Sequence, residues 1–338
     1  MYNLSVPIIH NGKEQNVIEK VYNINDFPYD MIKDFKVIYK SKGKRKYRYF
    51  NESIAFDIET TTVKKLNNKN EPYGYGFMYQ WQVCVKDKVV FGRTWEEFLQ
   101  MLAEIVAILK LCQKKRVIIY VHNLAYEFQF FRELLDWEKV FSIDLRKPIY
   151  GITKTGLEFR CSYLLSGYSL AKLGEQLHTY KCEKLVGDLD YSLLRHSKTP
   201  LTQKEIGYCL NDIKVVMCYI QELIEQYKGI TRLPITKTGF VRKYCRSVCF
   251  KTTDETGKTI PNFKYIDKIH SLNITGLDEF SMLQRAFSGG FTHANAKYTD
   301  EVIENVDSYD FTSSYPYVMV SEKFPMSTGV FVPVKSMK

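Results

Sequence analysis

The sequence has no Cys-x-x-Cys pair and no histidine pair at zinc-binding spacing, and its eight cysteines (84, 112, 161, 182, 209, 218, 245 and 249) are scattered. That excludes a structural zinc module and a disulfide framework, and predicts reduced cysteines in a cytoplasmic protein. Cys245 and Cys249 lie four apart on an expected helix, but no partner ligand stands near them in the sequence. No charged-then-apolar leader opens the chain, and no apolar run approaches the ~18 residues needed to span a bilayer. The expectation is a soluble, intracellular protein that is neither secreted nor membrane-bound. Internal repeats and low-complexity tracts are also lacking, which argues against solenoids and disordered tails.

What is present suits a globular enzyme with an anionic partner. A chain of 338 residues, 45% of them hydrophobic, has room for two cores. Lys and Arg exceed Asp and Glu by a net +10, which favours a polyanion. The 25 Tyr and 21 Phe add stacking faces of the kind that single-strand binding uses, although ordinary packing accounts for most of them. Charge concentrates in Lys40-Ser-Lys-Gly-Lys-Arg-Lys-Tyr-Arg-Tyr49, a loop or edge hairpin that is either a phosphate-tracking arm or a solvated face.

Periodicity predicts a mixed α/β unit. Ile54–Ile58 is a short apolar run, 74–84 and 88–91 form a strand pair, and Trp95–Leu111 has helical spacing. Arg116–Val121 is a buried strand followed by helical spacing from Ala125 to Leu135, and two strands are expected near 140–145 and 157–163. A short helix starts at Ser169, and a long one over 202–227 opens with the capping-box pattern Thr202-Gln-Lys-Glu205. From 228 to 285 the chain reads as basic and irregular, with Arg232, Lys237, Arg242, Lys243, Arg246 and Lys251 spread along it.

Three acidic elements carry chemistry. Asp57 and Glu59 share one face at the expected end of a strand, where their repulsion calls for a cation, and hard oxygen ligands suit Mg²⁺ or Mn²⁺. His122-Asn123-Leu-Ala-Tyr126-Glu127 follows the next buried strand, at the strand-to-helix turn where α/β sheets place their sites; Asn123 is alternatively a helix cap. Tyr208 and Asp212 are one helical turn apart, so a phenol can hold a water beside a ligating carboxylate.

Together, Asp57-Ile-Glu59-Thr60-Thr61, Asn123-Leu-Ala-Tyr126-Glu127 and Tyr208-Cys-Leu-Asn-Asp212 resemble the three motifs of DnaQ-like, tyrosine-containing proofreading exonucleases, a family with a ribonuclease-H-like fold. Asp310-Phe-Thr-Ser-Ser-Tyr315-Pro316 resembles the first catalytic strand motif of family B DNA polymerases, and Phe287-Ser-Gly289-Gly290 the linker motif of the protein-primed phage branch. The resemblance covers about residues 53–325. It implies that Asp57, Glu59 and Asp212 hold two Mg²⁺ or Mn²⁺ ions with Glu127 assisting, and that Tyr208 positions the attacking water. It further implies that Thr60, Asn123, Tyr126, Ser169 and Leu170 grip a single-stranded 3′ end. In the polymerase half, Asp310 by its carboxylate and Phe311 by its carbonyl would bind metal, and Tyr315 would gate the sugar. Implied partners are primer-template DNA, a priming terminal protein and a second chain carrying the rest of the polymerase, in the cytoplasm of a phage-infected bacterium.

Glu127 stands where the family has Asp, Phe287 where it has Tyr, and no Lys directly precedes Gly187-Asp188-Leu-Asp190-Tyr191, with Lys184 the nearest. The expected division is an extension over 1–52, an exonuclease domain over 53–228, a basic linker over 229–300 and the start of a palm over 301–338. The stretch after Asp310 is too short for a second palm carboxylate and a triphosphate-binding helix, so primer extension is not expected from this chain alone. Two other readings stay open: a free-standing single-strand exonuclease acting on DNA or RNA, and a non-catalytic nucleic-acid-binding fragment.

Overall fold

The computed structural model describes residues 2–10, 13–66, 69–70, 72–180, 182, 193–287, 293, 295–327 and 329. The chain divides into two compact units, Met1–Arg242 and Lys243–Lys338. No helix among the described residues is long and apolar enough to cross a membrane.

The first unit is built on one ten-stranded mixed sheet. Its strands are β1 (Tyr2–His10), β2 (Lys13–Tyr22), β3 (Val37–Lys42), β4 (Arg45–Leu66), β5 (Pro72–Val85), β6 (Lys88–Gly92), β7 (Lys115–Val121), β8 (Trp137–Ser142), β9 (Pro148–Thr153) and β10 (Leu157–Cys161). They lie in the order β1-β2-β6-β5-β4-β7-β10-β9-β8, with β3 paired to β4 off that path. The centre is an antiparallel meander β4-β5-β6, then β7 parallel to β4 and β10 parallel to β7. This is the ribonuclease-H-like arrangement that the motifs led us to expect. The helices of the unit are α1 (Trp95–Leu109), α2 (Leu124–Phe131), α3 (Ser162–Ser166), α4 (Leu170–Glu175), α5 (Gln203–Tyr227) and the start of α6 (Lys237–Cys249).

Alternation along the strands supplies two cores. Ile54, Phe56 and Ile58 of β4 point one way, with Trp81, Val83, Ile119 and Phe159, against α1 and α2. There Phe56 stacks on Phe98 at 4.4 Å between ring centroids, and Phe131 meets Phe56 edge-on. The opposite face presents Tyr49, Ala55, Cys84, Ile118 and Tyr120, and α5 covers it with Ile213, Val216 and Ile220 at helical spacing. Burying each such large side chain is worth roughly 1.5–3 kcal/mol, so the two faces clamp the sheet from both sides.

The basic run is the hairpin β3–β4, turned at Gly43 with φ +60, a left-handed conformation that glycine adopts freely. The capping box of α5 forms as expected: the Thr202 hydroxyl accepts from Glu205 N, and Glu205 accepts from Thr202 N. Three expectations are corrected. β4 does not end near Asp57 but continues to Leu66, because β5 goes on pairing with it after β7 stops at Val121. A strand at 148–153 was missed; its Gly151 faces Trp137, whose ring occupies the room a Cβ would need. The stretch expected to be irregular carries the helix α6, of which only the Cys245–Cys249 end was expected to be helical.

The second unit continues α6 and adds the hairpin β11 (Lys251–Thr253) and β12 (Thr259–Pro261), then α7 (Phe263–His270), α8 (Leu277–Ala286) and α9 (Ser314–Ser321). None of these helices has a buried residue. Regularity here comes from local capping, as where the Asn262 side chain accepts from Tyr265 N.

Candidate active site

β4 carries Asp57 and Glu59 on the face that α5 covers, one step past the last pair with β7, Phe56↔Val121. Without a neighbour on that side, the two carboxylates border an opening in place of another strand. A register shift between Glu59 and Thr60 bends β4 at this point. From α5, one turn after its buried entry, Tyr208 and Asp212 face the same opening. Asp57, Glu59, Tyr208 and Asp212 line one cavity of ≈ 230 Å³ together with Ile58, His122, Leu170 and Val216.

The electrostatics are those of crowded acids. Burial, then the charges of Glu59 and Asp212, push the Asp57 carboxyl well above its ordinary value, against the hydrogen bonds that favour its ionised form. Glu127, buried at the start of α2, is raised by burial first and by Asp57 second, and its Oε2 has no hydrogen-bond partner among the described residues. Gln82 binds the pair together: its Nε2 donates to Asp57 Oδ2 at 2.9 Å and reaches Glu59 Oε1 at 3.4 Å. Cys209 lies between Tyr208 and Asp212 in sequence, and burial and Glu59 push its thiol up.

Beside the cavity the strand-gripping candidates are partly assembled. Thr60 Oγ1 and Tyr126 Oη are 2.6 Å apart, and Tyr126 leaves its ring 45% exposed, against Phe130 at 5.2 Å. Asn123 occupies the N-cap position of α2 with φ +71 but makes no capping bond, so capping does not explain it. The Ser169 hydroxyl accepts from Lys172 N and so caps α4, while Leu170 lines the cavity. His122 is bonded to Ser162 Oγ through Nδ1 at 3.0 Å, and also borders the cavity.

The polymerase-type motif is placed differently from expectation. Asp310 and Phe311 lie outside any strand, and Tyr315 falls in the first turn of α9, all three exposed. A strand needs a partner for its backbone donors and acceptors, and none of the described residues supplies one here. Phe287 ends α8, 91% exposed, while Gly289 and Gly290 lie outside the described residues, as do Lys184 and Gly187–Tyr191.

Sequence reasoning missed Gln82 and Cys209. Gln82 had a signal: Gln80 and Gln82 alternate inward on an otherwise apolar strand, opposite Glu59 and Asp57. Cys209 had none, because its contact depends on how α5 docks.

The donors suit a divalent cation in kind. All are oxygens, the repulsion that raises Asp57 is what a cation would relieve, and Glu127 Oε2 remains uncommitted. As positioned, no group of three His, Cys, Asp or Glu side chains among the described residues is arranged as a metal-holding cluster.

Residues 166–338, just over half the chain, match the family model for DNA polymerase type B, organellar and viral. The DNA polymerase of Bacillus phage B103 is 25% identical over 304 residues, covering 82% of this chain and 46% of that protein. The DNA polymerase of Bacillus phage Nf is 24% identical over 301 residues, covering 82% and 46%. The chain thus spans about half the length of these curated relatives. Among solved structures, Phi29 DNA polymerase complexed with primer-template DNA superposes with a TM-score of 0.52 at 16% identity, covering 74% of this chain and 42% of that one. The same polymerase complexed with single-stranded DNA gives 0.51 at 15%, covering 74% and 42%; both share the fold. By the match over its second half, this chain belongs to the type B DNA polymerases of organelles and viruses.

Proposed function

We propose that the chain is the N-terminal part of a protein-primed type B DNA polymerase, and that residues 53–228 are a two-metal 3′→5′ exonuclease that trims single-stranded 3′ ends. One observation carries the nuclease: Asp57, Glu59, Tyr208 and Asp212, from two distant segments, line a single cavity beside the Thr60–Tyr126 pair.

Asp57, Glu59 and Asp212 would hold two Mg²⁺ or Mn²⁺ ions, which supply charge to polarise a phosphodiester and to acidify its attacking water. Tyr208 orients that water with its hydroxyl, one helical turn from Asp212. Gln82 holds the Asp57 and Glu59 carboxylates in register. Glu127, one methylene longer than the family's Asp, adds a buried carboxyl that interacts with Asp57. The exposed Tyr126 ring, bonded to Thr60, offers a stacking face to the terminal base, and Asn123, Ser169 and Leu170 would complete the grip on the strand. Leu170 walls one side of the cavity against bulk water.

For the remainder, residues 1–52 would be an extension, 229–300 a linker carrying Phe287, Gly289 and Gly290, and 301–338 the start of the palm. There Asp310 and Phe311 would serve the polymerising metals and Tyr315 the sugar gate once further palm elements pair with this segment. Primer-template DNA, a priming terminal protein, a chain supplying the downstream half and the cytoplasm of an infected bacterium follow from the same proposal. The family match through Asp310–Pro316 supports this over a free-standing exonuclease.

The test is a 5′-labelled single-stranded oligonucleotide incubated with Mg²⁺ or Mn²⁺. A ladder shortening one nucleotide at a time from the 3′ end, abolished by chelator, is expected; an undegraded oligonucleotide overturns the nuclease.

A further inference from the structure

A second cavity, ≈ 560 Å³, opens at the other end of β7. It lies on the same sheet face as the acid cluster and runs from Arg116 at the strand's start, about 20 Å from the cluster along the six-residue rise, to Arg160, which pairs beside Tyr120. Six cations line it, Lys40, Arg45, Lys114, Arg116, Lys139 and Arg160, against only two carboxylates, Glu138 and Glu158. The basic hairpin β3–β4 contributes Lys40, Arg45, Tyr47 and Tyr49, which gives that run of charge a place in the fold.

The floor is built and rigid. Glu158, nearly fully buried, accepts from Arg160 Nε and Nη2 at 2.8 and 2.6 Å through Oε1, and from Tyr49 Oη at 2.9 Å and Arg116 Nη1 at 3.4 Å through Oε2. That single carboxylate offsets Arg160 and leaves the Arg116 charge only partly compensated. Arg116 is further fixed by its Nε donating to Gln113 O at 2.7 Å and by its guanidinium lying 4.8 Å from the centre of the Tyr47 ring. On the opposite wall Lys139 stands 5.8 Å from the Tyr150 ring. Around this floor Arg45, Lys114 and Lys139 are exposed and make no ion pair among the described residues.

A fixed guanidinium, exposed ammonium groups and tyrosine rings in one concavity are the chemistry that receives phosphates with bases attached. We propose that this cavity is a second single-strand DNA site, in which Arg45, Lys114, Arg116 and Lys139 receive backbone phosphates and Tyr47 and Tyr150 flank the bases. It is separate from the acid cluster and does not depend on the nuclease being active. Its distance from that cluster is within the span of the ~4–16 nucleotides that single-strand modules occupy, so one strand can engage both.

The test measures binding of a fluorescent dT20 in chelator, where nothing is cut, across a salt series. The variants are Arg45→Gln/Lys114→Gln/Lys139→Gln and a charge-matched control, Lys33→Gln/Lys36→Gln/Lys110→Gln. Arg160 is left alone, because its loss would strand Glu158 in the core. The cavity variant is expected to bind roughly tenfold more weakly near 0.1 M salt, with a log–log salt slope shallower by about two for three lost phosphate contacts. The control should keep both values, and both variants should melt like the parent. Equal binding by the two variants would overturn the proposal, and so would displacement of dT20 from the parent by millimolar dTMP or inorganic phosphate, which would make the cavity a mononucleotide or anion pocket.

Discussion

Asp57 and Glu127 hold carboxyls whose pKa values are raised in the fold, Asp57 by burial, Glu59 and Asp212, and Glu127 by burial and Asp57. A carboxyl that binds its proton more tightly folded than unfolded favours folding at low pH, and that contribution is lost as pH rises through the folded-state value. Without divalent ions, thermal stability should therefore fall as pH rises above the ordinary carboxylate range near ~4 and through the raised folded-state values, measured by calorimetry. Mg²⁺ or Mn²⁺ should restore it. Asp57→Asn removes part of the repulsion, so the metal-free variant should melt a few degrees higher than the parent at pH 8 and respond less to added metal. A lower melting temperature would show that the hydrogen bond from Gln82 outweighs the repulsion. Tyr208→Phe should leave DNA affinity intact and slow cleavage by roughly 10²–10⁴-fold, the range of a lost positioning or proton-handling group.

At the scale of elements, β5, β6 and α1 are locked by one close approach. The Trp81 indole donates to Thr94 O at 2.7 Å, just where Thr94 caps α1, and its ring occupies the place a Cβ on Gly92 would take. Gly92→Ala should cost about 1–3 kcal/mol by overpacking, read from urea unfolding. Removing the α5 cap with Thr202→Ala should cost about 1 kcal/mol. These elements also show what could be read in the chain. β7, α1 and α5 have the period and caps of their class over long stretches, so Arg116–Val121 and Thr202–Tyr227 stood out. Asp57 and Glu59 were legible as a pair with a shared face, and Tyr208 and Asp212 as one turn of a helix. What depends on tertiary pairing was not legible: β4 runs past Asp57 only because β5 follows it, Pro148–Thr153 pairs around a glycine, and Gln82 and Cys209 gain meaning only when β5 and α5 meet β4. The helices α7 and α8, and α6 ahead of Cys245, were obscured by charges that interrupt their apolar spacing.

Across the first unit, β4, β7 and β10 are tied by the buried Glu158 with Arg160, Arg116 and Tyr49. Burial alone would raise the Glu158 carboxyl, but the Arg160 charge and the hydrogen bonds from Arg160 and Tyr49 outweigh it and hold it below its ordinary value. The sign is opposite to that of Asp57: this stabilisation is present above the unfolded carboxylate pKa near ~4.3 and is lost as pH falls through the folded value. Unfolding midpoints should drop on acidification below about pH 4, and drop less in Glu158→Gln, a variant already destabilised by about 3–5 kcal/mol at neutral pH because its arginines are left unpaired in the interior. The strand network and the acid cluster thus impose opposed pH limits on one sheet, with the stablest metal-free protein in mild acid.

The decisive measurement is single-turnover release of a 3′-terminal labelled nucleotide from a single-stranded oligonucleotide in Mg²⁺, for the parent, Asp57→Ala and Asp212→Ala, with DNA binding measured in parallel. If Asp57, Glu59, Asp212 and Tyr208 form a nuclease site, the parent releases the 3′ nucleotide, and both variants bind DNA yet lose release by several orders of magnitude. Release at the parent's rate in either variant, or none in the parent despite binding, would contradict it.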